Sequence, residues 1–178
     1  MHVNTKRIAF SGVMLAVAML LAITTGILNF NSLFFYVLAG FIIGFVIRTC
    51  GMRYGSIYLA ASVILGFFIA SDKVEVLTFV FAEIYIIARE AIWLFLSRDT
   101  SRDYRKMRAL FMFLRWLVYQ GLLIPMLLLF PDLFFTKRSA KIIILAYIMA
   151  QIFWYLCDYC YNAFMRFYEE RLLKKLDI

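Results

Sequence analysis

Long apolar runs alternate along the chain with short polar or charged breaks. The first run, Ile8 to Leu28, ends at Asn29-Phe30-Asn31-Ser32, and the second, Leu33 to Ile47, meets Arg48-Thr49-Cys50-Gly51-Met52-Arg53. The third, Tyr54 to Ala70, is broken by Ser71-Asp72-Lys73, and the fourth, Val74 to Leu96, precedes the longest charged break, Ser97 to Arg108. The fifth spans Ala109 to Phe130. After a loop from Pro131 to Lys141, the sixth runs from Ile142 to Phe164 and continues as an amphipathic tail to Lys175. A hydrocarbon layer of ~30 Å takes roughly 20 helical residues to cross. Inside lipid the backbone must satisfy its own hydrogen bonds, so such runs are helices. The period-2 alternation of a membrane β-barrel is not seen. The pattern predicts an all-α, polytopic membrane protein of about six transmembrane helices forming a single domain. The second run, 15 residues long, is expected to be short, tilted or partly re-entrant.

Charge orients this arrangement. With the N-terminus inside, one side receives Lys6, Arg7, Arg48, Arg53, Arg98, Arg102, Arg105, Lys106, Arg108, Arg166, Arg171, Lys174 and Lys175. The other side receives Lys73, Lys137, Arg138 and Lys141, and Arg89 and Arg115 lie within runs. The positive-inside rule therefore predicts cytoplasmic N- and C-termini. The composition agrees: 65% of the 178 residues are hydrophobic and the mean hydropathy is +0.87. The net charge of +8 is read as topology determinants facing anionic membrane lipid, with no nucleic-acid partner. Lys6-Arg7 before an apolar run resembles a signal peptide. The run is long and has no small-x-small cleavage site, so it is expected to stay as the first helix. Cys50, Cys157 and Cys160 are too few for a disulfide framework. With His2 as the lone histidine, a zinc site lacks ligands, and no metal or cofactor is expected. No Walker, HExxH or GxSxG signature occurs, and the chain is not expected to be an enzyme. A carboxylate site assembled from Asp72, Glu75 and Glu83 would lack metal-ligand spacing.

The polar groups inside the runs carry most information, because a charge at mid-membrane costs roughly 2.5–3.5 kcal/mol on insertion scales and faces protein or water. Glu83 and Glu90 lie seven residues apart on one helical face, as do Gln151 and Asp158. Counting helical rise from the cytoplasmic ends places Arg89, Glu90, Arg115 and Asp158 at similar depth. Two cations and two anions there predict a neutral, buried ion network joining the fourth, fifth and sixth helices, or else a gate or proton relay. Glu83 lies deeper. It is either a hydrogen-bonded core carboxyl paired with Gln151, or a ligand-binding or proton-carrying carboxylate. The exoplasmic edges combine Phe30, Phe34 and Phe35 with Phe134 and Phe135, which can line an aromatic pocket. Candidate ligand contacts are Asn29, Asn31, Phe34, Asp72 and Glu75, with Glu83 and Gln151 below them.

The first helix carries small residues at helical spacing, Gly12 with Ala16, then Ala18, Ala22 and Gly26; Gly40 and Gly44 repeat the spacing in the second. Such rows permit close backbone approach, within the bundle or to a partner. The opening Thr5-Lys6-Arg7-Ile8-Ala9-Phe10-Ser11-Gly12-Val13-Met14-Leu15-Ala16 resembles the first helix of the substrate-binding S components of energy-coupling factor (ECF) vitamin transporters, and Leu33 to Leu96 resembles small uncharacterised membrane proteins of Firmicutes related to that group, so the likeness covers roughly the first 96 residues. It implies an S-component-like bundle in a bacterial plasma membrane that captures a small vitamin-like molecule from outside. It also implies docking of the row Gly12, Ala16, Ala18, Ala22 and Gly26 on a transmembrane coupling subunit with two ATPases. The rod-shape MreD proteins have similar architecture without transport, so a non-transporting envelope scaffold is the alternative.

Overall fold

The computed structural model describes residues 2–28, 32–69, 73–97, 104–129, 140–168 and 170. These residues form six helices: α1 His2–Leu28, α2 Ser32–Cys50, α3 Met52–Ile69, α4 Lys73–Leu96, α5 Tyr104–Leu129 and α6 Ala140–Tyr168. The chain is thus all-helical over its described part. Three stretches are long and apolar enough to cross a membrane by length and composition: Thr5–Thr24, Met52–Ile69 and Arg105–Leu127. In α2 the apolar stretch Phe34–Cys50 is shorter, and α4 and α6 carry charged and amide side chains within theirs.

α2 is the axis of the bundle. It packs against α1, α3 and α4 and also meets α6. Every residue from Ala39 to Ile47 is buried, as expected of a helix that is apolar all round. Its glycines set the spacing. A Cβ on Gly40 would stand 3.0 Å from the Cβ of Ala82 in α4, and a Cβ on Gly44 would collide with Tyr161 and Met165 of α6. Gly55 in α3 makes the same room for Ile47. α2 ends at Gly51, whose φ of 100° suits a residue without a Cβ. The Gly51 N–H donates to the Ile47 carbonyl at 2.8 Å, an αL cap, and the Gly51 carbonyl accepts from Tyr54 and Gly55 as α3 begins. One residue therefore reverses the chain.

The outside of the bundle is apolar. Ile8, Val13 and Leu20 of α1, Ile57, Ile64 and Phe68 of α3, and Met112, Phe113 and Leu117 of α5 are exposed, as are Ile144, Leu145, Ile148, Ile152 and Leu156 of α6. The polar side chains turn inward instead: Glu83, Arg89, Glu90, Arg115, Gln120 and Asp158 are all buried.

Candidate functional site: a buried ion network

Five ionised side chains from four helices meet where α2 ends. Arg48, in the last turn of α2, grips Glu90 of α4 with two bonds, Nε to Oε2 at 3.1 Å and Nη2 to Oε1 at 2.9 Å. Tyr161 of α6 donates to the same Oε1 at 2.8 Å. Arg115 of α5 directs Nη1 at both oxygens of Asp158 in α6, at 2.6 and 2.5 Å. Between the two carboxylates lies Arg89, with Nε 3.2 Å from Asp158 and Nη1 3.5 Å from Glu90. Its Nη2 donates to Asn162 Oδ1 at 2.5 Å, and its guanidinium lies over the Tyr161 ring at 4.0 Å. Arg115 in turn lies 4.3 Å from the centre of the Phe111 ring. Asn162 and Tyr85 add bonds to Asp158 of 3.2 and 3.4 Å.

The structure brings Arg89, Glu90, Arg115 and Asp158 together and adds Arg48 to them. Arg48 belongs to the cluster, because α2 continues three residues past Ile47 and carries Arg48 on the face toward α4. Three guanidiniums, from Arg48, Arg89 and Arg115, thus meet the carboxylates of Glu90 and Asp158. Arg48, Tyr161 and Asn162 are the members the sequence reading missed. Asn162 sits one helical turn after Asp158, and its Nδ2 also donates to the Asp158 carbonyl at 2.8 Å. The i, i+4 spacing was the available signal.

A second polar ladder joins α6 to α4 and α5 beyond the ions. Trp154 donates to Tyr85 at 2.8 Å, Tyr119 to the Ala150 carbonyl at 2.8 Å, and Gln120 to Tyr147 at 2.6 Å. Gln151 bonds to Gln120 and Trp116, each at 3.3 Å. The expected Glu83–Gln151 pairing is therefore overturned, since Gln151 serves the α5–α6 contact. Glu83 is fully buried and accepts from Ser62 of α3 through Oε2 at 2.5 Å. Its Oε1 has no hydrogen-bond partner among the described residues, and neither does the hydroxyl of Tyr58 one turn before Ser62.

The other expected ligand contacts are not gathered into one site. Asn29, Asn31 and Asp72 lie outside the described residues, and only the backbone of Glu75 is described, within α4. Phe34 is 61% exposed and packs edge-on against Phe35. The small-residue row of α1 is split. Ala18 is fully buried in the core and Ala22 packs against it, so these two serve the chain's own bundle. Gly12 and Ala16 are exposed, and nothing lies within 4 Å of a Cβ built on Gly12. Gly26 lies in α1, and its surroundings are outside the described residues. Cys50 is buried, Cys157 half-buried and Cys160 exposed, all as free thiols. Among the described residues no three His, Cys, Asp or Glu side chains are grouped to hold a metal.

No protein family, curated protein or solved structure matches this chain.

Proposed function

We propose that the chain is a six-span plasma-membrane protein with both termini cytoplasmic, acting without catalysis as the substrate-capture subunit of an ECF-type importer. The observation that carries this reading is the outward face of α1, where Ala9, Gly12 and Ala16 are exposed on a helix whose inward face already packs against α2 and α3. Small residues facing lipid leave room for another helix's backbone. The sequence likeness of Thr5–Ala16 to S components supplies the class of partner, a transmembrane coupling subunit. The apolar exposed faces of α1, α3, α5 and α6 support the membrane location. One observation favours the scaffold reading: the ion network and the polar ladder fill the space between α4, α5 and α6 with side chains that bond to one another, which suits a rigid body.

Affinity purification from native membranes, with mass spectrometry of both copurified proteins and retained small molecules, tests the choice. The importer reading expects an ATPase-coupled membrane subunit with the native chain and its loss with Ala16→Leu, which meets only lipid. It also expects a small molecule at stoichiometric occupancy. Recovery of envelope proteins without ATPases or small molecule would establish the scaffold instead.

A further inference from the structure

A cleft of about 290 Å³ opens between α5 and α6 beside the ion network, lined by Arg108, Arg115, Arg166, Asp158, Met112 and Tyr155 among others. Its charge is unbalanced. Among its described lining residues the one carboxylate is Asp158, already engaged by Arg115 and Arg89. Among the described residues Arg108 and Arg166 have no ion-pair partner. Arg115 also leaves its buried Nε without a hydrogen bond. Three guanidiniums thus converge on a space whose described lining residues include one carboxylate, Asp158.

We infer that this cleft binds the phosphate of an anionic membrane lipid. Guanidinium forks match phosphate oxygens in pairs. The position favours a lipid over a soluble anion. Arg108 lies in the second turn of α5 and Arg166 in the last turn of α6, so both stand at the helix ends where the cation-rich breaks put the membrane boundary. The mouth is flanked by Met112, 46% exposed, and Tyr155, 61% exposed, so acyl chains leaving a seated headgroup run down an apolar face. The volume lies at the small end of the ~300–1,000 Å³ range of ligand pockets, enough for a headgroup without its chains. Basic pockets between membrane helices are a recurring means of holding lipid phosphates. The inference rests on the membrane part of the proposed function and is independent of the importer role.

The test uses the full chain in mixed micelles of neutral detergent with phosphatidylglycerol and phosphatidylcholine, read by native mass spectrometry. The native chain should retain phosphatidylglycerol preferentially. With each surface cation contributing the usual increment to anionic-lipid attraction, Arg108→Gln with Arg166→Gln should weaken that retention about thirtyfold. Arg53→Gln, an exposed cation away from the cleft, should leave it unchanged. Arg108→Gln alone, at an exposed and unpaired residue, keeps the test valid should the double variant not fold, and should give a partial loss. Equal retention by native and variant chains would overturn the inference. Displacement of the lipid by millimolar inorganic phosphate or glycerol phosphate would overturn the lipid assignment in favour of a soluble anion. Release of the chain from membranes by alkaline carbonate would reject the membrane location itself and is read separately.

Discussion

The Arg115–Asp158 pair joins α5 to α6, and its removal from either side should not cost the same. Both residues are 8% exposed, so solvent screens them weakly. Two unit charges 4 Å apart interact by about 4 kcal/mol at an effective dielectric of 20, and removing one partner of a buried pair typically costs about 3–5 kcal/mol. Asp158→Asn incurs that full cost: Arg115 loses its ion partner, Arg89 loses one of two, and the cluster gains one unit of positive charge. Arg115→Met is milder. Asp158 keeps Arg89 at 3.2 Å and Asn162 at 3.2 Å, the cluster loses one unit of positive charge, and Met fills the space beside Phe111. A loss of about 1–3 kcal/mol, the cost of a weakened buried hydrogen-bond set, is expected. The double variant restores the cluster's original net charge and should recover part of the loss, with a coupling energy of about 0.5–3 kcal/mol. Equilibrium unfolding in mixed micelles measures all four corners of the cycle. Additive losses, or Arg115→Met as damaging as Asp158→Asn, would refute the assignment of this pair.

Two further outcomes follow from the packing of α2 and α4. Gly44→Ala places a methyl where the Tyr161 hydroxyl and the Met165 methyl now lie, so Tyr161 must leave its 2.8 Å bond to Glu90; an overpacking cost of about 1–3 kcal/mol is expected, with a change in tyrosine fluorescence or ultraviolet absorbance, and an unaltered spectrum at native stability would contradict the placement. Glu83→Gln keeps an acceptor for Ser62 without placing a charge in a site where no cation contacts it among the described residues, so its unfolding free energy should match or exceed the native value, whereas Glu83→Ala strands the Ser62 hydroxyl and should cost about 1–3 kcal/mol; Gln more damaging than Ala would show that Glu83 works as an ion.

The six apolar runs were legible because charged or glycine-bearing breaks punctuate them, and the six described helices overlap them. The role of α2 was not. A short segment apolar on every side reads equally as a marginal span or as a buried axis, and only Gly40 and Gly44 hinted at close neighbours. Depth counting grouped Arg89, Glu90, Arg115 and Asp158 because helical rise is regular. It left Arg48 in the turn, because Arg48 follows the last apolar residue of its run, yet the helix continues and a long side chain reaches along it. The small residues of α1 illustrate the opposite error. Ala18 stands two residues, about 200° of helical rotation, beyond Ala16. The row could not have faced one partner as a whole, and the structure divides it between core and surface.

The two halves of the bundle are held by different forces, and this bears on function. Between α1, α2 and α3, small residues allow close approach: Ala18 and Ala39 are fully buried, and Gly55 admits Ile47. Since lipid gives no hydrophobic drive for helices to associate, such contacts rely on dispersion over a tight interface. α6 adds polar contacts to its packing of Tyr161, Met165 and Tyr168 on α2, through Arg115, Asp158, Asn162, Gln151 and the Tyr119–Trp154 stack at 5.6 Å. Interhelical polar bonds in membranes average only about 0.6 kcal/mol each, so the doubly bonded Arg115–Asp158 contact carries a large share of this attachment. The cleft for a lipid phosphate lies on that same α5–α6 seam, while the outward face of Gly12 and Ala16 lies on α1, which packs against α2 and α3. A partner helix docking on α1 therefore meets neither Arg108 nor Arg166, and a seated phosphate meets neither Gly12 nor Ala16. Phosphate binding acts instead on Arg115, which shares Asp158 with Arg89, so an occupied cleft and the α5–α6 junction share one guanidinium.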